Sequence, residues 1–234
     1  YHYRDNRTDG MMEKAFERLS KERIYDITGI QFMPLNTLFQ LFSLVINDSP
    51  TLRIADKLLM VPDLINYWLT GQAVAEFTEA TTSQIYDTTH RQWSMEIINA
   101  MGFPGHIFPI VIQPGTVLGK LRPSLVQEIN CDLTVVAPAA HDTGSAVAAI
   151  PAEEQDFVWI SSGTWSIIGM NTPAPIINEQ SYLCNFTNEG GRAGTNRFCK
   201  NVTGLWMVQQ LRDQWRKEGQ DFSYTELTKM AQNA

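Results

Sequence analysis

Apolar residues recur every three or four positions through much of the first half of the chain, which is the spacing of amphipathic helices. In residues 10–23 the apolar face comprises Met11, Met12, Ala15, Phe16 and Leu19. The same spacing predicts helices over residues 38–46, 54–69, 94–101 and 123–129. Pro62 falls inside the second of these segments, so we expect that helix to break or to restart with Pro62 in its first turn. Residues 76–88 and 103–120 are expected to be extended or irregular.

From residue 133 onward the pattern favours strands. Residues 133–138 form an apolar, β-branched run that predicts a buried strand, and the small residues that follow, 142–150, predict a helix. Apolar runs at 157–160 and 165–170 flank Ser161-Ser-Gly-Thr164 and predict a hairpin. Further extended runs are expected at 182–186 and 197–202.

Two helices complete the pattern. We expect the first over residues 205–217, capped by Thr203, with a core face of Leu205, Val208, Leu211 and Trp215. The last helix begins near Ser223. Helices followed by alternating strands and helices indicate a mixed α/β protein, with a boundary near residue 150 that separates segments 1–150 and 151–234.

Composition excludes several classes of function. The 234 residues are 44% apolar and 18% charged, as in ordinary globular proteins. The net charge of −7 argues against nucleic acid and anionic membranes as partners, because binding to phosphates needs clustered Lys and Arg. No apolar run approaches the ~20 residues that span a bilayer, and the polar start is not a signal peptide, so we expect a cytoplasmic protein. Cys131, Cys184 and Cys199 form no CxxC pair, and neither a disulfide framework nor a zinc site is expected.

The strongest candidate for chemistry is Asp142, in the sequence Ala139-Ala-His-Asp-Thr-Gly144. It follows a predicted strand and opens a predicted helix, and active residues of α/β proteins favour the carboxyl ends of strands. A carboxylate fixed at a helix amino terminus suits a general base that accepts a hydroxyl proton. The alternatives are that Asp142 or Thr143 only caps the helix, and that His141 is structural.

Three other segments carry polar candidates. The predicted hairpin tip, with Gly163 and Thr164, could bind an anion through backbone N–H groups and hydroxyls, or could be a plain turn. Asn201 follows a predicted strand and Gln209 lies in the next helix, where each could bind a ligand or face solvent. Asn188 and Glu189 could line a cleft, although a flexible loop is the reading we favour on pattern alone.

Taken together, these segments resemble the FGGY carbohydrate kinases, and within them the rhamnulokinase branch. The matching pieces occur in the family's order and cover nearly the whole chain: Tyr3-Arg-Asp-Asn-Arg-Thr8, Gly29-Ile-Gln-Phe-Met-Pro-Leu-Asn-Thr37, Leu58-Leu-Met-Val-Pro-Asp63, Pro114-Gly-Thr116, His141-Asp-Thr143, Ser161-Ser-Gly-Thr-Trp-Ser166, Thr187-Asn-Glu-Gly190 and Asn201-Val-Thr-Gly-Leu-Trp206. The Ser-Gly-Thr-Trp-Ser and Asn-Glu-Gly pieces favour the rhamnulokinase branch over glycerol and xylulose kinases.

The resemblance implies an actin-like, ribonuclease H-like α/β kinase that closes over ATP–Mg²⁺ and a ketose. Segment 1–150 would be the end of the sugar-binding amino-terminal domain, and segment 151–234 the start of the nucleotide-binding carboxy-terminal domain. It implies that Asp142 is the base and that His141, Thr143 and Asn201 contact the sugar, L-rhamnulose. It further implies that Gly163, Thr164 and Gln209 contact the nucleotide.

The chain also departs from the family pattern. The family's amino-terminal phosphate loop with its metal-linked aspartate and the carboxy-terminal Gly-rich adenosine segment are not found in it, and we assign no metal ligand here. We therefore interpret the chain as a central portion of such a kinase, with weak ATP binding and little activity by itself. The alternatives are a kinase for xylulose, fuculose or glycerol, and an inert sugar-binding module from a truncated gene.

Overall fold

The computed structural model describes residues 5–152 and 157–233. The chain divides into two compact units, the first comprising residues 1–159 and 169–200, and the second comprising residues 160–168 and 201–234. These units do not coincide with segments 1–150 and 151–234, because residues 169–200 pack with the first unit. The assignment of those segments to two domains stays a prediction.

The first unit is mostly helical. Its helices are α1 (Met11–Arg18), α2 (Lys21–Thr28), α3 (Thr37–Ile46), α4 (Pro50–Ile54), α5 (Val61–Thr70), α6 (Phe77–Thr82), α7 (Met95–Met101), α8 (Pro123–Ile129), α9 (Asp142–Ala148) and α10 (Glu179–Leu183). The main core lies among α1, α2, α3 and α7, where Ala15, Ile24, Phe39, Phe42 and Met101 are buried. Burial of such apolar side chains is the main stabilising contribution in this unit.

Within residues 5–152 and 157–233 the strands form four small sheets. They are β1 (Ala75–Glu76), β2 (Tyr86–Asp87), β3 (Gln92–Trp93), β4 (Val111–Ile112), β5 (Val117–Lys120), β6 (Thr134–Val136), β7 (Val158–Ser162), β8 (Trp165–Thr172), β9 (Thr187–Gly190) and β10 (Asn196–Thr203). β1 pairs with β4 in parallel, and β2–β3 and β5–β6 are antiparallel pairs. The largest sheet has the order β7-β8-β10-β9. In it, antiparallel β9 and β10 place Glu189 opposite Arg197.

The second unit contains α11 (Trp206–Lys217) and α12 (Tyr224–Gln232). Ser223 caps α12 as the sequence predicts, and its side chain and that of Glu226 satisfy each other's backbone N–H groups in a capping box. The start of α11 differs from the prediction, because its first flanking residue is Leu205 and not Thr203. Its expected core face is wrong within the described residues, since Leu205 and Leu211 are both half-exposed.

Several predicted boundaries in the first unit are confirmed. α8 spans residues 123–129 as expected, and α5 restarts with Pro62 in its first turn, where the missing proline N–H costs nothing. Gly71 and Gly102 end α5 and α7 in the left-handed conformation, with φ of 86° and 74°. The hairpin strands β7 and β8 and the strand β10 also form where the pattern placed them.

Other predictions are wrong, each for a local reason. The helix expected over residues 10–23 is two helices, because Ser20 accepts a hydrogen bond from the Arg23 N–H at 3.2 Å and starts a new one. The extended run expected at 182–186 is wrong: residues 182–183 belong to α10, which starts with a capping box of Asn178 and Ser181, and residues 184–186 form no strand. The strand β6 is only partly buried, because it pairs with β5 alone among the described strands. Within residues 76–88 the helix α6 was not anticipated.

Candidate functional site

The sequence around Asp142 folds as a corner between a strand and a helix. The chain leaves β6 at Val136 and enters α9 at Asp142, with His141 as the residue that flanks the helix. Asp142 thus occupies the first helical position, as the sequence predicts. At that position backbone N–H groups are unpaired by the helix itself and favour a negative charge.

The Asp142 carboxylate is oriented by its neighbour Thr143. Its Oδ1 accepts hydrogen bonds from the Thr143 backbone N–H at 2.6 Å and from the Thr143 hydroxyl at 3.3 Å. The side chain is 96% exposed, so the described residues of this unit leave the carboxylate open to solvent. Thr143 itself is buried, and its hydroxyl is used in the hydrogen bond to the Asp142 carboxylate. A direct sugar contact by Thr143 stays a prediction.

His141 lies against the interior of the unit. Its side chain is 22% exposed, and Nδ1 lies 3.5 Å from Asp142 Oδ1 without making a hydrogen bond. Burial lowers the pKa of the imidazole, with the charge of Glu189 opposing and that of Arg197 assisting this change. A histidine with a lowered pKa is neutral at pH 7 and can offer a hydrogen bond without adding a charge beside Asp142.

Glu76 and Thr78, which the sequence analysis did not single out, accept hydrogen bonds from the backbone of the corner. Glu76 Oε2 accepts a hydrogen bond from the Ala140 N–H at 2.9 Å, and Thr78 Oγ1 accepts one from the His141 N–H at 3.1 Å. Both residues are fully buried. Both residues lie in a Thr-rich stretch that mixes polar and apolar residues, and nothing in that pattern reveals a partner 63 or 64 positions later.

Buried charges surround this support. Arg197 Nη2 and Glu189 Oε2 form a buried ion pair at 2.9 Å, and Arg197 Nε donates to the Gly190 carbonyl at 2.9 Å. The loop expected at Asn188 and Glu189 is therefore wrong: both residues are buried in β9. Burial raises the pKa of Glu79 to about 7, assisted by the charges of Asp63, Glu76, Glu189 and Asp142.

Gly163 and Thr164 form the turn between β7 and β8 in the second unit. The Gly163 N–H donates to the Trp165 carbonyl at 2.8 Å, so this donor is used inside the turn. The Gly163 and Thr164 carbonyls accept hydrogen bonds from the Leu205 and Trp206 N–H groups at 2.9 and 3.2 Å. Thr164 is exposed, and a contact of its hydroxyl with a phosphate stays a prediction.

Asn201 and Gln209 belong to the same unit. Asn201 lies in β10 and Gln209 on α11, and both side chains are half-buried. The alternative that both residues are fully exposed to solvent is therefore wrong. The structure does not bring them to Asp142 within one unit, because Asp142 belongs to the other.

Other features bear on alternative functions. No group of three or more His, Cys, Asp or Glu side chains within residues 5–152 and 157–233 is arranged to hold a metal ion. In that same part of the chain, no helix combines the length and the apolarity that crossing a bilayer requires. The motif piece that begins with Tyr3 and Arg4 starts outside the described residues.

Comparison with known sequences decides the family. The profile of the FGGY family of carbohydrate kinases, N-terminal domain, matches residues 2–149, and that of the C-terminal domain matches residues 158–234. The chain belongs to the FGGY family of carbohydrate kinases. The resemblance inferred from the motif pieces is thereby confirmed.

Two relatives with similar sequences are rhamnulokinases. The chain is 44% identical to a rhamnulokinase of Oceanobacillus iheyensis over 98% of this chain and 48% of that protein. It is 43% identical to a rhamnulokinase of Bacteroides thetaiotaomicron over 97% of this chain and 46% of that protein. The chain thus spans about half the length of the curated relatives it matches.

Solved structures of FGGY-type kinases share the fold. The ligand-bound xylulose kinase from Lactobacillus acidophilus matches with a TM-score of 0.77 and 20% identity, over 90% of this chain and 43% of that one. Plasmodium falciparum glycerol kinase with ADP matches with a TM-score of 0.67 and 17% identity, over 88% of this chain and 45% of that one. The predicted fold class, a partial actin-like α/β sugar kinase fold, is confirmed.

Proposed function

We propose that the protein carrying this chain transfers the γ-phosphoryl group of ATP to the 1-hydroxyl of L-rhamnulose. The observation that carries the proposal is the Asp142 carboxylate, which is held at the start of α9, open to solvent and next to a histidine with a lowered pKa. Phosphoryl transfer needs little covalent chemistry from a protein beyond a carboxylate that orients the acceptor hydroxyl and accepts its proton. Asp142 has the right position and exposure for that task.

In the proposed reaction Asp142 takes the proton of the sugar hydroxyl as its oxygen attacks the γ-phosphorus. The bond between that phosphorus and the β,γ-bridging oxygen breaks, ADP leaves, and the proton later passes from the carboxylic acid to water. His141 and Asn201 would hold the sugar through hydrogen bonds. The Thr164 hydroxyl would donate to a phosphate oxygen, and Gln209 would contact the nucleotide.

ATP is the phosphate donor of the FGGY family, usually with Mg²⁺. The described residues offer no group of three or more His, Cys, Asp or Glu side chains that could hold a metal ion, and we derive no step through Mg²⁺. The exposed Thr164 side chain fits a phosphate contact, since hydroxyl donors recognise phosphate oxygens. A cytoplasmic location is part of the same proposal, since ATP is available there.

The choice of L-rhamnulose rests on the relatives. The rhamnulokinases are 37–44% identical to this chain, whereas the xylulose and glycerol kinases found by structure are 14–20% identical. Xylulose, fuculose and glycerol remain the alternative acceptors, and an inert sugar-binding module is the alternative without catalysis. Both alternatives are separated from the main proposal by the assay below.

The test uses the full-length product of the gene and its Asp142→Asn variant. With L-rhamnulose and ATP, we expect ADP release by the wild type and a loss of kcat by a factor of about 10²–10⁴ in the variant, which is the usual contribution of a general base. Because the side chain is exposed, the melting temperature is expected to stay unchanged. Asp132→Asn makes the same chemical change at another exposed aspartate in the loop before β6 and serves as the control.

Turnover by Asp142→Asn at the wild-type rate would remove Asp142 as the base. A panel of L-rhamnulose, xylulose, fuculose and glycerol then tests the substrate, with the highest kcat/KM expected for L-rhamnulose. A higher value for another acceptor would move the proposal to that acceptor. Sugar binding by calorimetry without turnover of any acceptor would establish the inert module.

A further inference from the structure

We infer that Thr78 and Glu76 are positioning residues for Asp142: they fix the backbone just before α9 and thereby the direction of the carboxylate. The inference rests on the proposed function, because it gives Asp142 its role. Neither residue touches the sugar or the nucleotide in the proposal. Their effect on catalysis would be exerted entirely through the residues 140–142.

Glu76 is the anchor of this arrangement. Its Oε1 accepts the Thr78 backbone N–H at 3.0 Å, and its Oε2 accepts both the Thr78 hydroxyl and the Ala140 N–H, the latter at 2.9 Å. The Glu76 N–H in turn donates to Asp63 Oδ1 at 2.9 Å, which ties the anchor to α5. A fully buried carboxylate is costly unless it is hydrogen-bonded; here two of the bonds come from Thr78 and the third from the Ala140 N–H, two residues before Asp142.

Thr78 links Glu76 to His141, the residue after Ala140. A hydroxyl has one donor and two acceptor sites. The donor is committed to Glu76, which leaves Oγ1 to accept the His141 N–H at 3.1 Å. Two consecutive backbone N–H groups, those of Ala140 and His141, are therefore held from the same side. The direction in which Asp142 leaves the corner follows from these two bonds.

The opposite side of the corner is also fixed. The Ser145 hydroxyl donates to the Ala139 carbonyl, which folds the first turn of α9 back onto the entering chain. Gly144 faces Thr78 closely: a Cβ built on it would lie 3.6 Å from both the Cβ and the Oγ1 of Thr78. Helices α9 and α6 therefore come close to each other at Gly144 and Thr78.

The experiment compares Thr78→Val with Thr78→Ser in the full-length product of the gene. Valine keeps the shape of threonine and removes the hydroxyl, whereas serine keeps the hydroxyl. We expect Thr78→Val to lower kcat with L-rhamnulose by about 10- to 100-fold, the size expected of a small misplacement of a reacting group. The KM for ATP is expected to stay within about twofold of the wild type, and Thr78→Ser is expected to retain most of kcat.

Thr82→Val is the matched control. Thr82 lies on the same helix, and its hydroxyl donates to the Glu79 carbonyl at 2.8 Å within that helix. Thr82→Val also removes a threonine hydroxyl, but this hydroxyl makes no hydrogen bond to the corner. The kcat of Thr82→Val is therefore expected to stay near the wild-type value. If Thr78→Val does not fold, Glu76→Gln replaces it, because glutamine keeps the side-chain volume and one acceptor oxygen.

A double-variant cycle separates positioning from a general structural effect. Asp142→Glu keeps the carboxylate but moves it by one methylene, so Thr78→Val is expected to cost much less in that background than in the wild type. Equal factors in the two backgrounds, or a wild-type kcat for Thr78→Val, would overturn the inference. If Asp142→Asn is inactive while Thr78→Val is fully active, only this inference fails and the proposed function stands.

Discussion

The corner at Asp142 and the turn at Gly163–Thr164 are built in opposite ways. In the corner, side chains from β1 and α6, more than sixty positions away, hold the backbone, and Arg197 and Glu189 lie buried nearby. In the turn, the bonds at Gly163 and Thr164 run between backbone groups of the turn and the start of α11. The conformation of the corner therefore depends on hydrogen bonds from buried polar side chains. The turn is held by backbone hydrogen bonds, and the exposed side chain of Thr164 does not contribute to them. Substitutions near the corner should affect stability and activity together, and substitutions in the turn should separate them.

The largest effect is expected from removing Arg197. Arg197→Met leaves the Glu189 carboxylate buried and without its charge partner, which typically costs about 3–5 kcal/mol in the free energy of unfolding. Urea unfolding measures this value. The control is Arg23→Met, which breaks the exposed pair with Glu96 at 2.6 Å and should cost less than about 1 kcal/mol.

A second variant tests whether the loss of stability in Arg197→Met comes from the unpaired charge of Glu189. In the double variant Arg197→Met, Glu189→Leu the unpaired carboxylate of Glu189 is removed as well, and much of the lost stability should return. Equal unfolding free energies for Arg197→Met and Arg23→Met would contradict the view that burial makes the Glu189–Arg197 pair more important for stability than an exposed pair.

The next effect is a dependence of stability on pH that comes from Asp63. Burial, assisted by the charge of Glu76, raises the pKa of Asp63 to about 7 from an ordinary value of 3.8. Between these values the folded state holds a proton that the unfolded state has lost, so the contribution of Asp63 to stability falls as the pH rises from about 4 to about 7. Asp63→Asn cannot lose a proton, and the advantage of this variant should grow by on the order of 2–4 kcal/mol over that interval.

The measurement is urea unfolding of both proteins at several pH values from 4 to 8. The asparagine keeps an oxygen where Oδ1 accepts the Glu76 N–H, so the anchor of the corner should remain. Glu79, whose pKa is also raised to about 7, should leave a residual slope of the same sign in the variant. Parallel curves for the two proteins would show that Asp63 is not protonated in the fold.

A moderate effect is expected in the turn. A Cβ built on Gly204 would lie 2.6 Å from the Gly163 carbonyl oxygen and 2.7 Å from the Ser166 nitrogen, both backbone atoms that cannot move aside alone. Gly204→Ala should therefore shift the turn and cost about 1–3 kcal/mol of stability, as overpacking does. Gly219→Ala is the contrast for crowding, because a Cβ there meets nothing within 4 Å and any cost comes from its φ of 87°. A Gly204→Ala protein as stable as the wild type would mean that the turn is not held by close packing.

The same contrast explains what the sequence could predict. The helix that starts at Asp142 and the hairpin at Gly163 are local: apolar runs and turn residues specify them, and both form as expected. Glu76, Thr78 and the Glu189–Arg197 pair act through partners that are distant in the sequence or across a sheet, and no local pattern encodes such a partner. The extended run expected at 182–186 does not form, because the capping box of Asn178 with Ser181 starts helix α10, which continues to Leu183.

The smallest effect on stability is expected from Thr164, although it should have a clear effect on the nucleotide. The side chain is exposed, and substitutions of exposed residues usually change the free energy of unfolding by less than about 0.5 kcal/mol. Thr164→Val should thus melt like the wild type but raise the KM for ATP by roughly tenfold, because a hydrogen bond to a charged phosphate contributes about 1.5–3 kcal/mol. Thr164→Ser should keep the KM near the wild-type value. Steady-state kinetics at saturating L-rhamnulose measures both, and a KM unchanged in Thr164→Val would leave the turn a structural element without a part in nucleotide binding.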